Sequence, residues 1–383
     1  PERLAVEVLL DAEAENLNAR ALSYVSLVSG EDGTVILRDE LTGEMLTVRP
    51  RLLVNATGAW IDFVNHDLGQ STRFIGGTKG SHLVLAHDEL RKAVGEHEFF
   101  FENEDGRIVL IFPLFERVLV GTTDVPITNP DEARCTDEER DYLLGMIQRV
   151  FPTIKATPEQ VVFQYSGVRP LPYSGAKSAG QITRDHSIQV LSGEWTGLRF
   201  PVYSLVGGKW TTFRAFAEQV TDKALAYLGR ARDKNTRALP IGGGRGYPRS
   251  EEDRRRQVES LSAWTGLPVE RMHVLFERYG TRAEQVAGFI RRGQDEPLKS
   301  LPDISRREIE FLAGHEKIVH LDDLILRRSL LAMLGQLTRE RVEELSGVLG
   351  DALGWDGDWK KAEAARLLSI LAGTVRVASN GGK

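Results

Sequence analysis

Three cations stand in turn-rich, otherwise apolar sequence. Lys79 lies in Gly77-Thr78-Lys79-Gly80-Ser81-His82, Arg169 in Tyr165-Ser166-Gly167-Val168-Arg169-Pro170-Leu171, and Arg184 in Ile182-Thr183-Arg184-Asp185-His186. A guanidinium presents a planar fork that matches two phosphate oxygens at once, so two arginines in one pocket suit a phosphomonoester. Taken singly, the commoner use of each cation is a structural salt bridge. His82 precedes the apolar run Leu83-Val84-Leu85. Such a histidine is more often a satisfied core or turn residue, yet a neutral imidazole with an ordinary pKa of about 6.5 can accept the proton of an alcohol. In that role the rate would fall as pH drops through the histidine's pKa.

Two further segments are rich in small residues. One is Asn55-Ala56-Thr57-Gly58-Ala59-Trp60, which follows the apolar Leu52-Leu53-Val54. A strand that stops at small residues lets a backbone or a ligand approach closely; an ordinary strand-to-helix turn has the same composition. The other is Val206-Gly207-Gly208-Lys209-Trp210-Thr211-Thr212-Phe213. A strand, two glycines and a helix start turn free N–H groups and a positive helix end toward one spot. Such a spot suits the electron-rich edge of a reduced flavin, although a Gly-Gly before a helix is a weak signal alone.

These residues need elements to hold them. β-like runs cover residues 21–27, 34–38 and 46–54, with hairpin signals at Gly30, Asp32-Gly33 and Thr42-Gly43. Further strands are expected over 81–86, 98–101, 107–112, 118–121 and 202–206. A helix opens at Thr136, where Glu139 three residues on completes a capping box, and Tyr142, Leu143, Met146 and Val150 follow at helical spacing. Another helix is expected over 211–228. Beyond the Gly242-Gly243-Gly244-Arg245-Gly246 loop only helical periods occur. The pattern therefore divides near residues 239–250, into an α+β domain over 1–240 and a helical domain over 250–383. Leu261, Trp264, Val274, Leu275, Leu312, Leu324, Leu330, Leu331 and Leu334 are the expected core of the second.

A chain of 383 residues, 41% hydrophobic and 27% charged, is of ordinary globular composition and long enough for two domains. Its net charge of -6 argues against a general nucleic-acid binder. No apolar run approaches the roughly 20 residues that cross a bilayer, and association with a membrane surface stays open. Cys135 is the only cysteine, which excludes an intrachain disulfide, fits a reducing compartment, and has no metal-ligand cluster beside it. Leu4, Val6, Val8, Leu9 and Ala12 form an apolar stretch with no capping residue ahead, an opening that points to truncation.

Six motifs arrive in one order: Asn-Ala-Thr-Gly-x-Trp at 55–60, Lys-Gly-Ser-His at 79–82, Gly-Thr-Thr-Asp at 121–124, Tyr-Ser-Gly-Val-Arg-Pro-Leu at 165–171, Ile-Thr-Arg-Asp at 182–185, and Gly-Gly-Lys-x-Thr-Thr-x-Arg at 207–214. In that order they resemble the FAD-dependent, aerobic-type glycerol-3-phosphate dehydrogenases, as does the tail from Glu308 to Arg328. The resemblance implies an α+β FAD/NAD(P)-binding-type flavoprotein fold, with an incomplete nucleotide-binding layer and a β-rich substrate layer, followed by an all-α C-terminal domain. It implies that Asn55, Ala56, Thr57 and Gly58 line the FAD side, with Gly207, Gly208, Lys209 and Thr211 near the ring. It further implies that Lys79, Arg169 and Arg184 bind substrate, and that His82, Lys209 and Arg169 serve catalysis. The implied reaction, part of glycerol metabolism, oxidises sn-glycerol 3-phosphate to dihydroxyacetone phosphate and passes electrons to a quinone. Dioxygen-using relatives share these motifs. Related flavin-dependent amine or 2-hydroxy-acid oxidases, or a non-catalytic fragment, are the alternatives.

The Gly-x-Gly-x-x-Gly pattern that opens such folds is absent from these residues. These 383 residues alone are therefore expected to hold no FAD and to be inactive. A cytoplasmic protein is expected, with attachment to the inner face of the plasma membrane and a homodimer left open.

Overall fold

The computed structural model describes residues 1–104, 106–174, 185–193 and 197–374. It forms two compact units: Leu22–Leu239, and Pro1–Ala21 together with the residues from Pro240 on. The opening helix α1 (Glu2–Glu15) thus groups with the later helices, although chain order puts it with residues 1–240. Charge is the reason. Arg3 pairs with the buried Glu316 at 2.6 Å, the buried Glu7 with Arg282 at 2.9 Å, and Glu13 with Lys317 at 2.9 Å, while Asp11 accepts from the Gly242 N–H at 2.8 Å.

In the unit Leu22–Leu239, β1 (Val25–Glu31), β2 (Thr34–Asp39) and β3 (Met45–Val48) form an antiparallel meander. Asp32 and Gly33 turn β1 into β2 with φ of 47° and 82°, as a tight two-residue hairpin requires. The single run expected over 46–54 is two strands. Between them lies Pro50, which has no N–H to give a ladder. The second piece, β4 (Leu53–Asn55), leaves the meander and joins another sheet. After it come α2 (Ile61–Asp67) and then a six-stranded sheet in the order β10-β5-β8-β7-β6, with β9 (Val125–Pro126) also on β5. Its other strands are β5 (Thr78–Leu85), β6 (Phe99–Glu102), β7 (Ile108–Leu114), β8 (Arg117–Gly121) and β10 (Val161–Arg169).

Two helices, α3 (Asp88–Val94) and α4 (Asp137–Val150), pack on this sheet. The capping box at Thr136 and Glu139 is present. Leu83, Leu85, Ile111, Val120, Leu143 and Ile147 are fully buried in the core between them. Each such side chain contributes about 1.5–3 kcal/mol over an exposed one. The third sheet has the order β11-β12-β4, with β11 (Ser187–Leu191) antiparallel and β4 parallel to β12 (Val202–Val206). A single 3₁₀ turn, Trp210–Thr212, then leads into α5 (Phe213–Tyr227).

The helical unit continues with α6 (Glu251–Thr265), α7 (Val269–Tyr279), α8 (Ala283–Arg291), α9 (Arg306–His315), a π-helical turn Asp323–Arg328, α10 (Arg339–Leu353) and α11 (Gly357–Leu371). Of its expected core, Leu261, Leu275, Leu312, Leu324 and Leu331 are buried. Val274 and Leu334 are half-buried, and Trp264 and Leu330 are exposed. Trp264 instead lies beneath the Arg291 guanidinium, 5.5 Å from the ring centre. Glu308 is a buried carboxylate between Arg271 and Arg278, and it accepts from the Tyr279 hydroxyl at 2.7 Å. Burial raises its pKa, but the two guanidinium charges outweigh that and hold it below the ordinary value.

Candidate functional site

Strand periodicity assembles the first half of the site. In the antiparallel pair β5–β10, His82 is the cross-strand partner of Tyr165, and Thr78 of Arg169. Side chains alternate along a strand, so His82, Tyr165 and Arg169 share one face. The His82 and Tyr165 rings stack with centroids 4.8 Å apart and planes 7° from parallel. On the other side His82 is paired with Gly121 of β8. A Cβ at Gly121 would lie 2.1 Å from His82 Cδ2, so no residue but glycine leaves the imidazole room. A Cβ at Gly80 would similarly fall 2.3 Å from Arg169 Nη2 and 2.4 Å from Thr122 Oγ1.

Arg169 is held, not loose. Its Nη2 donates to Thr122 Oγ1 at 2.9 Å and to the Thr123 carbonyl at 3.2 Å, and Nη1 donates to Asp124 Oδ1 at 3.2 Å. Burial pushes the His82 pKa down, and the charge of Arg169 pushes it the same way, to about 4. The imidazole is therefore neutral at physiological pH and can take a proton.

Lys79 stands apart from this pair. It is three positions from His82, so alternation turns it to the opposite face, where its amine bonds the Arg134 carbonyl and the buried carboxylate of Glu139. The substrate-binding role expected of Lys79 is therefore not carried forward; the residue closes a buried ion pair. Arg184 lies outside the described residues.

The second half comes from the parallel strands β4 and β12, which run side by side with Ser204 opposite Asn55. Their carboxyl ends, Asn55 to Gly58 and Val206 to Lys209, thus emerge together. The region outside adjacent carboxyl ends of parallel strands is where open α/β sheets take ligands. Asn55 is buried and fully used: its amide donates to the Ile61 carbonyl at 3.0 Å and to Asn65 Oδ1 at 2.9 Å, and its oxygen accepts from Thr57 Oγ1 at 2.7 Å. Asn65 Nδ2 donates in turn to Ser204 Oγ at 3.2 Å, tying both strands to α2. Asn65 carries no local signal that sequence reading could have used.

Ala56 and Thr57 are exposed beyond this anchor, and so are Lys209 and Thr211 at the start of the helical segment. Gly58, Gly207 and Gly208 have φ of 63°, 78° and 100°, open to glycine and strained for other residues. Bare backbone ahead of a helix start fits the edge of a planar, electron-rich ring such as a flavin. A backbone hydrogen bond joins the two halves. The Gly207 N–H donates to the carbonyl of Pro170, the residue after Arg169, at 3.0 Å. Two surface hollows of about 450 and 500 Å³ are lined by helical-unit residues and contain none of these groups. Among the described residues no cluster of His, Cys, Asp and Glu could hold a metal.

The family described as FAD dependent oxidoreductase matches residues 1–213, more than half of the chain. The chain belongs to that family. A second match, to the C-terminal domain of alpha-glycerophosphate oxidase, covers residues 234–360. The chain is 33% identical over 356 residues to a glycerol-3-phosphate dehydrogenase of Synechocystis, covering 87% of itself and 62% of that protein. It is 29% identical to an aerobic glycerol-3-phosphate dehydrogenase of Staphylococcus haemolyticus, covering 85% of itself and 59% of the relative. It therefore spans about three-fifths of the length of these curated relatives. Its fold matches that of a glycerol-3-phosphate dehydrogenase from Bacillus halodurans, solved in complex with FAD, with a TM-score of 0.79 over 98% of this chain and 73% of that one, at 24% identity. The expected flavoprotein architecture with a helical C-terminal domain is thus the observed one. No helix among the described residues is long and apolar enough to cross a membrane.

Proposed function

We propose that the protein carrying this chain oxidises sn-glycerol 3-phosphate to dihydroxyacetone phosphate with FAD and delivers the electrons to a quinone. The reading rests on one observation above all. A neutral, half-buried imidazole and an immobilised guanidinium share one sheet face, and the strand end bearing that guanidinium is bonded to the Gly207 backbone. An acid–base group, an anion-binding group and a flavin-compatible backbone are thus connected by short covalent and hydrogen-bonded paths.

In this reading Arg169, with Arg184, binds the substrate phosphate and orients the carbinol. His82 takes the hydroxyl proton on an imidazole nitrogen, which Tyr165 and Gly121 hold in plane. Asn55, Ala56, Thr57 and Gly58 on one strand end, and Gly207, Gly208, Lys209 and Thr211 on the other, would hold the FAD ring side. When bound, FAD supplies the acceptor for the carbinol hydrogen and its electron pair. The Lys209 ammonium and the helix start favour negative charge on that side. Since no Gly-x-Gly-x-x-Gly occurs here, the 383 residues alone should not retain FAD through gel filtration; a yellow, flavin-bearing peak would refute this.

The names of the relatives support the substrate, and the motifs leave quinone and dioxygen as acceptors to be separated by assay. The flavin-loaded protein should reduce a dye with glycerol 3-phosphate and release dihydroxyacetone phosphate. Turnover of simple amines or 2-hydroxy acids in preference to the phosphomonoester would overturn the reading. Faster reoxidation by a soluble quinone than by air is expected, and attachment to the inner face of the plasma membrane would follow from that acceptor.

A further inference from the structure

Behind the His82 face of the sheet lies a second polar constellation with no part in proton transfer. Glu139, 6% exposed and in the first turn of α4, receives Lys79 Nζ, Ser81 Oγ at 2.9 Å, Thr123 Oγ1 at 2.6 Å and the Thr136 N–H at 3.1 Å. All four partners are donors, which an ionised carboxylate alone can accept. Burial raises its pKa, but these hydrogen bonds outweigh that and keep it below the ordinary value. Ser81 gives its one hydroxyl proton to Glu139, so the 2.5 Å contact between Ser81 Oγ and Ser166 Oγ must be donated by Ser166. Ser81 and Ser166 are the back-face neighbours of His82 and Tyr165 and are themselves cross-strand partners.

The same carboxylate reaches the front face through one residue. Thr123 Oγ1 donates to Glu139 and accepts the Ser81 N–H at 2.9 Å, which fixes the residue against β5. The Thr123 carbonyl and the adjoining Thr122 hydroxyl are in turn two of the acceptors that hold Arg169 Nη2. We propose that Glu139, acting through Thr123, is a positioning residue for Arg169 and so sets the affinity of the site for a phosphate group. The proposal rests on the reading of Arg169 as the phosphate-binding group.

The test uses the flavin-loaded protein and Thr123→Val, which keeps the volume and removes the hydroxyl. Two quantities are read: KM for glycerol 3-phosphate, and Kd for inorganic phosphate by calorimetry. Both should rise on the order of tenfold, as for loss of about one hydrogen bond, while kcat changes by less than about twofold. Thr123→Ser, which restores the hydroxyl, should return both to within about twofold of wild type. In an Arg169→Ala background Thr123→Val should add nothing, because the coupling runs through that guanidinium. Unchanged KM and Kd in Thr123→Val, or the same increment with Arg169 already removed, would overturn the proposal. Should Thr123→Val fail to fold, Glu139→Leu with Lys79→Met removes the acceptor of the Thr123 hydroxyl without leaving a buried lone charge, and is read in the same way. A wild type inactive on glycerol 3-phosphate, whose phosphate affinity still falls in Thr123→Val, would refute the functional reading and leave this one standing.

Discussion

Acidification should weaken this protein through His82 by an amount that the structure sets. The folded-state pKa is about 4, lowered from 6.5 by burial and by the charge of Arg169. The unfolded chain returns the imidazole to its ordinary value, so between these two pH values the unfolded state binds more protons than the folded one. The sign follows: the contribution is complete above pH 6.5 and is lost as pH falls toward 4. At pH 5 the loss is about 2 kcal/mol, and the limit below pH 4 is about 3 kcal/mol, at roughly 1.4 kcal/mol per pKa unit. Denaturant unfolding of wild type and His82→Gln at pH 7.5 and pH 5 isolates the term, since every other titrating group is common to both. The stability gap should move by about 2 kcal/mol in favour of the glutamine variant on going to pH 5. A gap that stays constant would mean an imidazole with the same pKa folded and unfolded, and the electrostatic coupling to Arg169 argued above would be wrong. Activity should agree. The fall expected from an unperturbed histidine near pH 6.5 should instead be displaced toward pH 4.

Three substitutions test the remaining assignments. His82→Gln should lower kcat by roughly 10²–10⁴ with flavin absorbance retained, whereas a merely structural histidine would lose melting temperature and keep its turnover. Arg169→Ala should raise KM for glycerol 3-phosphate about 10- to 150-fold, with the weak reaction of unphosphorylated glycerol indifferent to it. Gly121→Ala drives a methyl to within 2.1 Å of the His82 ring; on the order of a 10²-fold loss of kcat/KM is expected from a displaced imidazole, and normal activity there would show that the stack is not required.

Local chemistry was readable along the chain, and distant pairing was not. The Thr136–Glu139 capping box involves neighbours, and its residue types announce it. The other engagement of Glu139, with Lys79 at a separation of 60 residues, has no local signature. Lys79 nevertheless carried one usable clue: in a strand, a residue three positions from His82 must face the other way. Pro50 was a similar clue to the break between β3 and β4. The ordered glycines mattered for the reason that small residues usually do, since Gly80 and Gly121 clear space for Arg169 and His82. The docking of α1 onto the helical unit depends on ion pairs such as Arg3–Glu316, which only the folded chain brings within reach. Trp264 and Leu330 have apolar spacing but lie exposed, because helical period marks a face without saying how much of it is covered.

The most direct test of the central claim is a single anaerobic half-reaction. The FAD-loaded protein is mixed with glycerol 3-phosphate in the absence of any acceptor, and the flavin spectrum is followed while the products are counted. The account predicts bleaching of the oxidised flavin band with one dihydroxyacetone phosphate formed per flavin, and no comparable bleaching by glycerol. A flavin that stays oxidised with glycerol 3-phosphate, or that is bleached equally by glycerol, would contradict it.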